Sequence, residues 1–288
     1  MQDSPQDSSQ SKSMVGVQSV TRESSPTTLG LQEDDGIPEH VVIIMDGNHR
    51  WASARHLPGA AGHRAGAKRL RPIAEACVEL GVTSLTVFAF STENWRRPNA
   101  EVGLLMDLMR HVMRTEIDYL HQQGVRLRVI GEREQFADDL QQMMADCEAL
   151  TAQNTRLNLS VAVNFGGRWD IVNAAKQLAQ QAVNGDLTVE DINEDRFSGA
   201  LSLQGLPEPD LLIRTGGDYR ISNFLLWDLA YTELYFTEAF WPDFDSAALQ
   251  DAVATYARRG SFSRSSSTAG GSSYLRLSCS SPATLNGC

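Results

Sequence analysis

Between residues 40 and 259 two hydrophobic patterns alternate. Val41 to Met45 form an unbroken apolar run rich in β-branched side chains, which predicts a strand buried on both faces. Similar runs predict strands at 84–90, 126–130, 157–163, 211–214 and 234–237. Between them, apolar residues recur every three or four positions and predict helices over 63–80, 99–123, 136–152, 168–183 and 246–259, with a short one near 193–201. Gly81 and Gly124 stop two of these helices. Strand–helix alternation implies right-handed crossovers. The predicted fold is a single α/β domain whose central, mostly parallel β-sheet of about six strands is flanked by helices.

The flanks lack either pattern. Residues 1–37 are rich in Ser, Gln, Thr and Asp and read as a disordered arm. Their acidic residues outnumber Lys12 and Arg22, which argues against an organellar transit peptide. Residues 260–288 are dominated by Ser and Gly, contain no acidic residue and read as a disordered tail. The folded domain is therefore placed at 38–259.

The helix at 99–123 carries more apolar surface than one core-facing stripe needs. Leu104, Leu105, Leu108, Val112, Met113, Ile117 and Leu120 recur at helical spacing, with Met106 and Met109 alongside. Such an arc is core packing, or one wall of a hydrophobic ligand cleft in which unbranched Met is useful.

Composition narrows the partners. The 288 residues carry a formal charge of −11, which argues against nucleic acid as the main partner. An anionic ligand would need arginines concentrated locally. No apolar run approaches the roughly 18 residues of a membrane span. Cys77, Cys147, Cys279 and Cys288 show no metal-ligand spacing and fit a reducing, cytoplasmic setting.

Candidate chemistry lies just after the predicted strands. Asp46, Gly47, Asn48 and Arg50 follow the first. They are either an ordinary Asp-Gly turn or a site in which a carboxylate holds a cation and an arginine takes phosphate oxygens. Gly62-His63-Arg64-Ala65-Gly66 opens a helix whose N–H groups favour an anion, while His63 alone reads as structural. Phe88-Ala89-Phe90-Ser91-Thr92-Glu93-Asn94-Trp95-Arg96-Arg97-Pro98 brings a hydroxyl, a carboxylate, an amide, an indole and two arginines to one strand end. Asn164-Phe165-Gly166-Gly167-Arg168-Trp169-Asp170 reads as a structural turn before a helix. Arg214, Arg220 and Ser222 surround Gly216-Gly217 as a second diphosphate cradle, and Glu233 downstream could reach a cation held there.

Taken together, these stretches resemble the cis-prenyltransferase family of the bacterial undecaprenyl diphosphate synthase type. The resemblance runs through His40–Trp51, Gly62–Gly66, Phe88–Pro98, Asn164–Asp170, Asp210–Trp227 and Glu233–Phe236, about 40 to 258 in all. It implies a fold with a hydrophobic tunnel. It also implies an isoprenyl transferase (a di-trans,poly-cis-polyprenyl diphosphate synthase) that adds isopentenyl diphosphate units, with cis double bonds, to an allylic starter, usually farnesyl diphosphate. The product would be a long polyprenyl diphosphate, such as undecaprenyl diphosphate, a lipid-carrier precursor for cell-wall glycan synthesis. By resemblance, Asp46 binds Mg²⁺ on the allylic diphosphate and is the main catalytic residue. Gly47, Asn48, His49, Arg50, Trp51 and His63 surround that diphosphate. Ser91, Thr92, Glu93, Trp95 and Arg97 line the reacting centre, where Asn94 assists proton removal. Arg214, Arg220, Ile221 and Ser222 hold the isopentenyl diphosphate, with Glu233 as a second Mg²⁺ contact. A homodimer is implied too, in the cytoplasm or peripherally at the inner face of the membrane through the lipid product.

Two departures stand out. The family usually has an arginine shortly before the Gly-His pair, where this chain has Gly59, and the family's arginine- and glycine-containing tail is replaced after about Arg259 by the Ser-rich segment. Both fit an alternative reading as a catalytically impaired or non-catalytic subunit of a prenyltransferase complex. An all-helical trans-type prenyltransferase is disfavoured, because Asp138-Asp139-Leu140-Gln141-Gln142 lacks the third acid of the Asp-Asp-x-x-Asp motif.

Overall fold

Strand β1 (His40–Ile44) is the axis of the sheet. It pairs in parallel with β2 (Ser84–Ser91) on one side and β5 (Leu211–Arg214) on the other. Beyond them lie β4 (Leu157–Phe165), β3 (Val125–Ile130) and β6 (Glu233–Phe236), giving the order β3-β4-β2-β1-β5-β6 with every pairing parallel. This computed structural model describes residues 36–268, with side chains through 259. The expectations for 1–35 and for the tail after 268 fall outside the described residues.

The apolar run of β1 is buried on both faces, as its sequence predicts. Val41 and Ile43 face α2 (Gly59–Leu80) and α7 (Ser246–Thr268), packing with Ile73, Cys77, Leu249 and Val253. Val42 and Ile44 face the opposite layer, with Phe165, Leu203, Leu212 and Phe224. Each such side chain contributes about 1.5–3 kcal/mol on burial, so β1 is fixed from both sides.

The larger departures from expectation are at three places. A helix α1 (Asn48–Ala54) follows β1 where a loop was predicted, because its polar residues carry no apolar period. Helix α2 starts at Gly59 rather than His63, since Gly59-Ala60-Ala61-Gly62 gives little hydrophobic signal. Helix α7 runs to Thr268 instead of ending at Arg259. The remaining helices are α3 (Asn99–Gln122), α4 (Asp138–Thr151), α5 (Gly167–Asn184) and α6 (Glu194–Ser198).

Helix α3 settles the two readings of its wide apolar arc. Among its residues only Val102 is buried. Leu105, Leu108, Met109, Val112, Met113, Ile117 and Leu120 instead line an apolar cavity against α2 and the sheet. The chain leaves β1 for β2 on one side, and leaves β5 for β6 on the other. The carboxyl ends of β1 and β5 therefore form a topological switch point, where open α/β sheets bind ligands.

Candidate active site

The switch point is built from the residues that end β1 and β5. Thr215 ties the two strand ends together. Its hydroxyl accepts from the Asp46 N–H at 3.0 Å and lies 2.8 Å from the Asp46 carbonyl. Asp46 thus leaves β1 at a fixed angle. Gly47 then takes a left-handed φ of +100°, and a Cβ there would lie 2.7 Å from the Phe240 ring, so only glycine fits the turn. The turn sends the chain into α1, which carries Asn48, His49 and Arg50.

Arg214, only 3% exposed, donates to Asp46 Oδ2 at 2.8 Å and to Ser222 Oγ at 2.7 Å, and also to the Arg220 carbonyl. Arg50 lies 3.2 Å from Asp46 Oδ1. Burial by itself would raise the Asp46 carboxyl. The Arg214 hydrogen bond, the Gly47 N–H and the Arg50 charge outweigh it and hold Asp46 below the usual carboxylate range. Asp46 is an anion at neutral pH, set among cations.

Asp218 joins this cluster. Its Oδ2 lies 3.0 Å from Arg220, 3.3 Å from Arg50 and 3.4 Å from Arg214. One carboxylate therefore gathers three guanidiniums at the mouth of the cleft. The surrounding cleft, about 760 Å³, has Asp46, Gly47, Asn48, His49, Arg50, His63, Ser91, Glu93, Asn94, Arg97, Arg214, Arg220 and Ser222 among its lining residues.

On the β2 side, Ser91 and Asn94 cap each other. Asn94 Oδ1 accepts from the Ser91 N–H at 3.0 Å, and the Ser91 hydroxyl takes the Asn94 N–H. His63 is inside the cleft wall. Burial first, then the Arg97 charge, lowers its pKa, so the ring is neutral at pH 7. Its Nε2 and the Oδ1 of Asn48 are buried without a hydrogen-bond partner. Such groups cost about 1–3 kcal/mol each unless a ligand meets them.

The cleft shares Met45, Asn48, His63, Ala89, Phe90 and Leu105 with the α3 cavity, so a charged mouth adjoins an apolar cavity across a common wall.

Five residues expected in the site do not line the cleft. Trp51 turns away and donates to Asp243 at 2.7 Å, with Arg55 over its ring. Thr92 sits beneath Gly166. Trp95 packs against Phe90 and Phe136 and donates to Asn164 Oδ1 at 2.8 Å, so it shapes the wall from behind. Ile221 packs into the apolar layer with Phe224. Glu233 starts β6, pairs with Leu211 at the other end of the sheet and lies 3.5 Å from Arg259. Gly59 lies beside the exposed His49 ring, where a Cβ would sit 2.7 Å from its Cδ2.

Thr215, Asp218, Phe240 and Asn164 were not singled out by the sequence reading. Thr215 and Asp218 carry the signal that found Asp46, a polar residue just past a strand. Asn164, read as part of a structural turn, is buried with a φ of +47° and holds the Trp95 indole. Phe240 gives no such signal, because its part is to face Gly47 and lie under the Arg50 guanidinium.

No group of three or more His, Cys, Asp or Glu side chains among the described residues is arranged to cage a metal ion. A single carboxylate in an open, phosphate-sized cleft instead suits Mg²⁺, which keeps several waters and takes one or two protein carboxylates together with substrate phosphates.

Comparison with known proteins gives the family. Residues 44–262 match the family model of undecaprenyl diphosphate synthase. The ditrans,polycis-undecaprenyl-diphosphate synthase ((2E,6E)-farnesyl-diphosphate specific) of Pseudomonas aeruginosa is 52% identical over 228 residues, 79% of this chain and 91% of that one. An isoprenyl transferase of Nitrosomonas europaea is 51% identical, covering 81% of this chain and 88% of its own length. The crystal structure of lavandulyl diphosphate synthase from Lavandula x intermedia, in complex with dimethylallyl diphosphate, superposes with a TM-score of 0.75 at 37% identity, over 78% of this chain and 97% of that one.

Proposed function

The chain belongs to the undecaprenyl diphosphate synthase family of isoprenyl transferases, and on that premise we propose that it is a Mg²⁺-dependent cis-prenyltransferase. Its substrates would be isopentenyl diphosphate and an allylic starter, farnesyl diphosphate by analogy with the relatives. The observation that carries this reading is the join between the arginine-lined mouth and the apolar tunnel. An amphiphile with a diphosphate head and a hydrocarbon tail matches both halves at once.

In this reading Asp46 would hold Mg²⁺, which when bound would supply neutralisation of charge on the departing diphosphate. Arg50 beside Asp46 takes phosphate oxygens of the same group. Asn48 and His63 line the cleft beside the head group and the first isoprene unit. Arg214, Arg220 and Ser222 hold the isopentenyl diphosphate on the β5 side. The allylic C–O bond breaks, the isopentenyl double bond attacks the freed carbon, and a proton leaves the new unit. Diphosphate is the leaving group. Two adjacent anion sites make that encounter local rather than bimolecular. Ser91 and Asn94 line the cleft on its β2 side, with Asn94 held by its cap to assist proton removal. Phe90, Leu105 and the tunnel wall keep water from the cation.

Glu233 does not reach Asp46 within one chain, so its metal role belongs to an assembled homodimer. The exposed edge strand β6, with Leu234 and nearby Tyr231 exposed, supports pairing through that side. No helix among the described residues is long and apolar enough to cross a membrane. The product alone would place the chain at a membrane surface.

The test is elongation of farnesyl diphosphate by labelled isopentenyl diphosphate with Mg²⁺, products resolved by length. Long cis-polyprenyl products are expected. Binding of farnesyl diphosphate without any elongation would instead favour the impaired-subunit reading that Gly59 and the replaced tail suggest.

A further inference from the structure

Asn223 stands at the edge of the cleft and bridges the two halves of the site, yet the motif chemistry gives it no task. It follows Ser222 in a strained turn. Ser222, Asn223 and Leu225 all have left-handed φ values, +49°, +60° and +42°. Each costs of order 1 kcal/mol for a non-glycine residue, Asn least. Contacts on two sides hold the turn. Asn223 Nδ2 donates to Glu93 Oε1 at 3.0 Å, in the loop after β2. Asn223 Oδ1 accepts from the Arg168 N–H at 3.0 Å, and its carbonyl accepts from the Gly167 N–H at 2.6 Å, both in the first turn of α5. A Cβ on Gly166 would lie 2.7 Å from Asn223 Nδ2 and 2.9 Å from Thr92 Oγ1. Gly166 therefore lets both loops close onto the start of α5.

The three contacts have distinct purposes. The α5 end is anchored, because α5 follows the fully buried end of β4 at Phe165. The loop after β2 carries Ser91, Glu93 and Asn94. The loop after β5 carries Arg220 and Ser222. Asn223 is the side chain that ties these two loops to one support. Its amide suits the task, as it donates to a carboxylate on one side and accepts a backbone N–H on the other, which neither Asp nor a hydroxyl does with the same geometry.

We propose that Asn223 is a positioning residue that sets the separation of the two reactants, by bracing the Glu93–Asn94 loop and the Arg220–Ser222 loop against the first turn of α5. The proposal rests on the condensation reading above for its kinetic part only. A displacement of about 1 Å between reacting groups can cost about 10²-fold in rate, so the expected signature is in kcat.

Two variants separate bracing from folding. Asn223→Gly removes the side chain and keeps the left-handed turn without strain. Asn223→Asp keeps the shape and the bond from Arg168, but turns a carboxylate toward Glu93. In the substrate-free chain, hydrogen exchange of amides 91–97 should rise in Asn223→Gly while the core strands stay protected. Unchanged exchange there overturns the proposal, whether or not the natural chain condenses isoprenoids. In the elongation assay, Asn223→Gly should lower kcat of the first condensation about tenfold to a hundredfold, with KM for farnesyl diphosphate within about threefold. Asn223→Asp should lose activity, because two carboxylates then face each other, and Glu93→Gln in the same chain should restore part of it. A loss in KM alone, or an Asn223→Asp loss that Glu93→Gln does not relieve, would overturn it. If the natural chain shows no elongation, only the condensation reading fails, and the exchange result still decides the brace.

Discussion

The cleft and the tunnel share six lining residues yet are built on opposite rules. In the cleft, ionised groups face one another across a space open to water. Asp46, Asp218 and three arginines form a network whose members belong to the turn after β1, α1, β5 and the loop after β5. In the tunnel, Leu108, Met109, Val112 and Met113 of α3 face Val87, Leu159 and Val161 of the sheet, and Glu116 is the acidic residue that reaches it. The difference shows how one site divides a reaction. The cleft fixes position through few, directional, charge-dependent contacts. The tunnel holds a chain through many weak contacts that tolerate a change of length. Changes in the cleft should therefore act on rate and with pH, and changes in the tunnel on product size and independently of pH.

Asp46→Asn should break the contrast most strongly. It keeps the shape and removes the charge that Arg214 and Arg50 face and that the cation needs. Condensation should fall by about 10³-fold or more, while farnesyl diphosphate binding, measured by fluorescence quenching, weakens far less. A loss under about tenfold would place the metal elsewhere.

Filling the tunnel tests the other side. Met109 lines the tunnel and not the cleft. Met109→Trp should shorten the products visibly on thin-layer or liquid chromatography, with the initial rate of the first condensation kept within about threefold. Full-length products from this variant would show that the chain leaves by another route.

The charge rule also predicts a pH signature in stability. Asp46 has a folded pKa below its ordinary value of 3.8. Its contribution is present above that value and is lost as pH falls through the folded pKa. Asp46→Asn should cost about 1–2 kcal/mol in urea unfolding at pH 7, a figure reduced for partial exposure, and close to nothing at the acid limit where both forms are neutral. Met109→Ala should instead cost a similar amount at both pH values. Equal costs for Asp46→Asn at pH 7 and in acid would remove the network from the account.

The smallest effect concerns Gly59. Arginine there would have to displace the His49 ring, whose Cδ2 lies 2.7 Å from the Cβ position. Because His49 is exposed, it can rotate away. Gly59→Arg should tighten farnesyl diphosphate binding about threefold to tenfold, more at low salt than at high. No gain at any salt would mean that His49 and Arg50 already meet the diphosphate's needs.

Most of the site was legible because its groups follow strands. Asp46, Ser91 and Arg214 each stand at the carboxyl end of an apolar run, and that position alone marks them for the ligand edge of a parallel sheet. The residues that were misplaced have side chains whose direction depends on packing. Trp51 lies one helical turn from Gly47, yet its indole finds Asp243, nearly two hundred residues away in sequence. Trp95 is adjacent to Asn94 but turns into the core, because Phe90, Phe136 and Asn164 offer its ring and N–H a better place than the cleft. Glu233 sits in a motif of the family, while the parallel register of β6 carries it to the far end of the sheet.

Local, periodic features are written in the chain alone. Unbroken β-branched runs make buried strands, three-to-four spacing makes helices, and polar residues just past the strands make a ligand edge. Strand order, and with it the switch point between β1 and β5, emerged only when the chain packed. So did the meeting of Asp46 with Arg214, and the common wall between the charged cleft and the tunnel. Those features depend on which distant surfaces bury one another, a free-energy balance over the whole fold that no window of sequence contains.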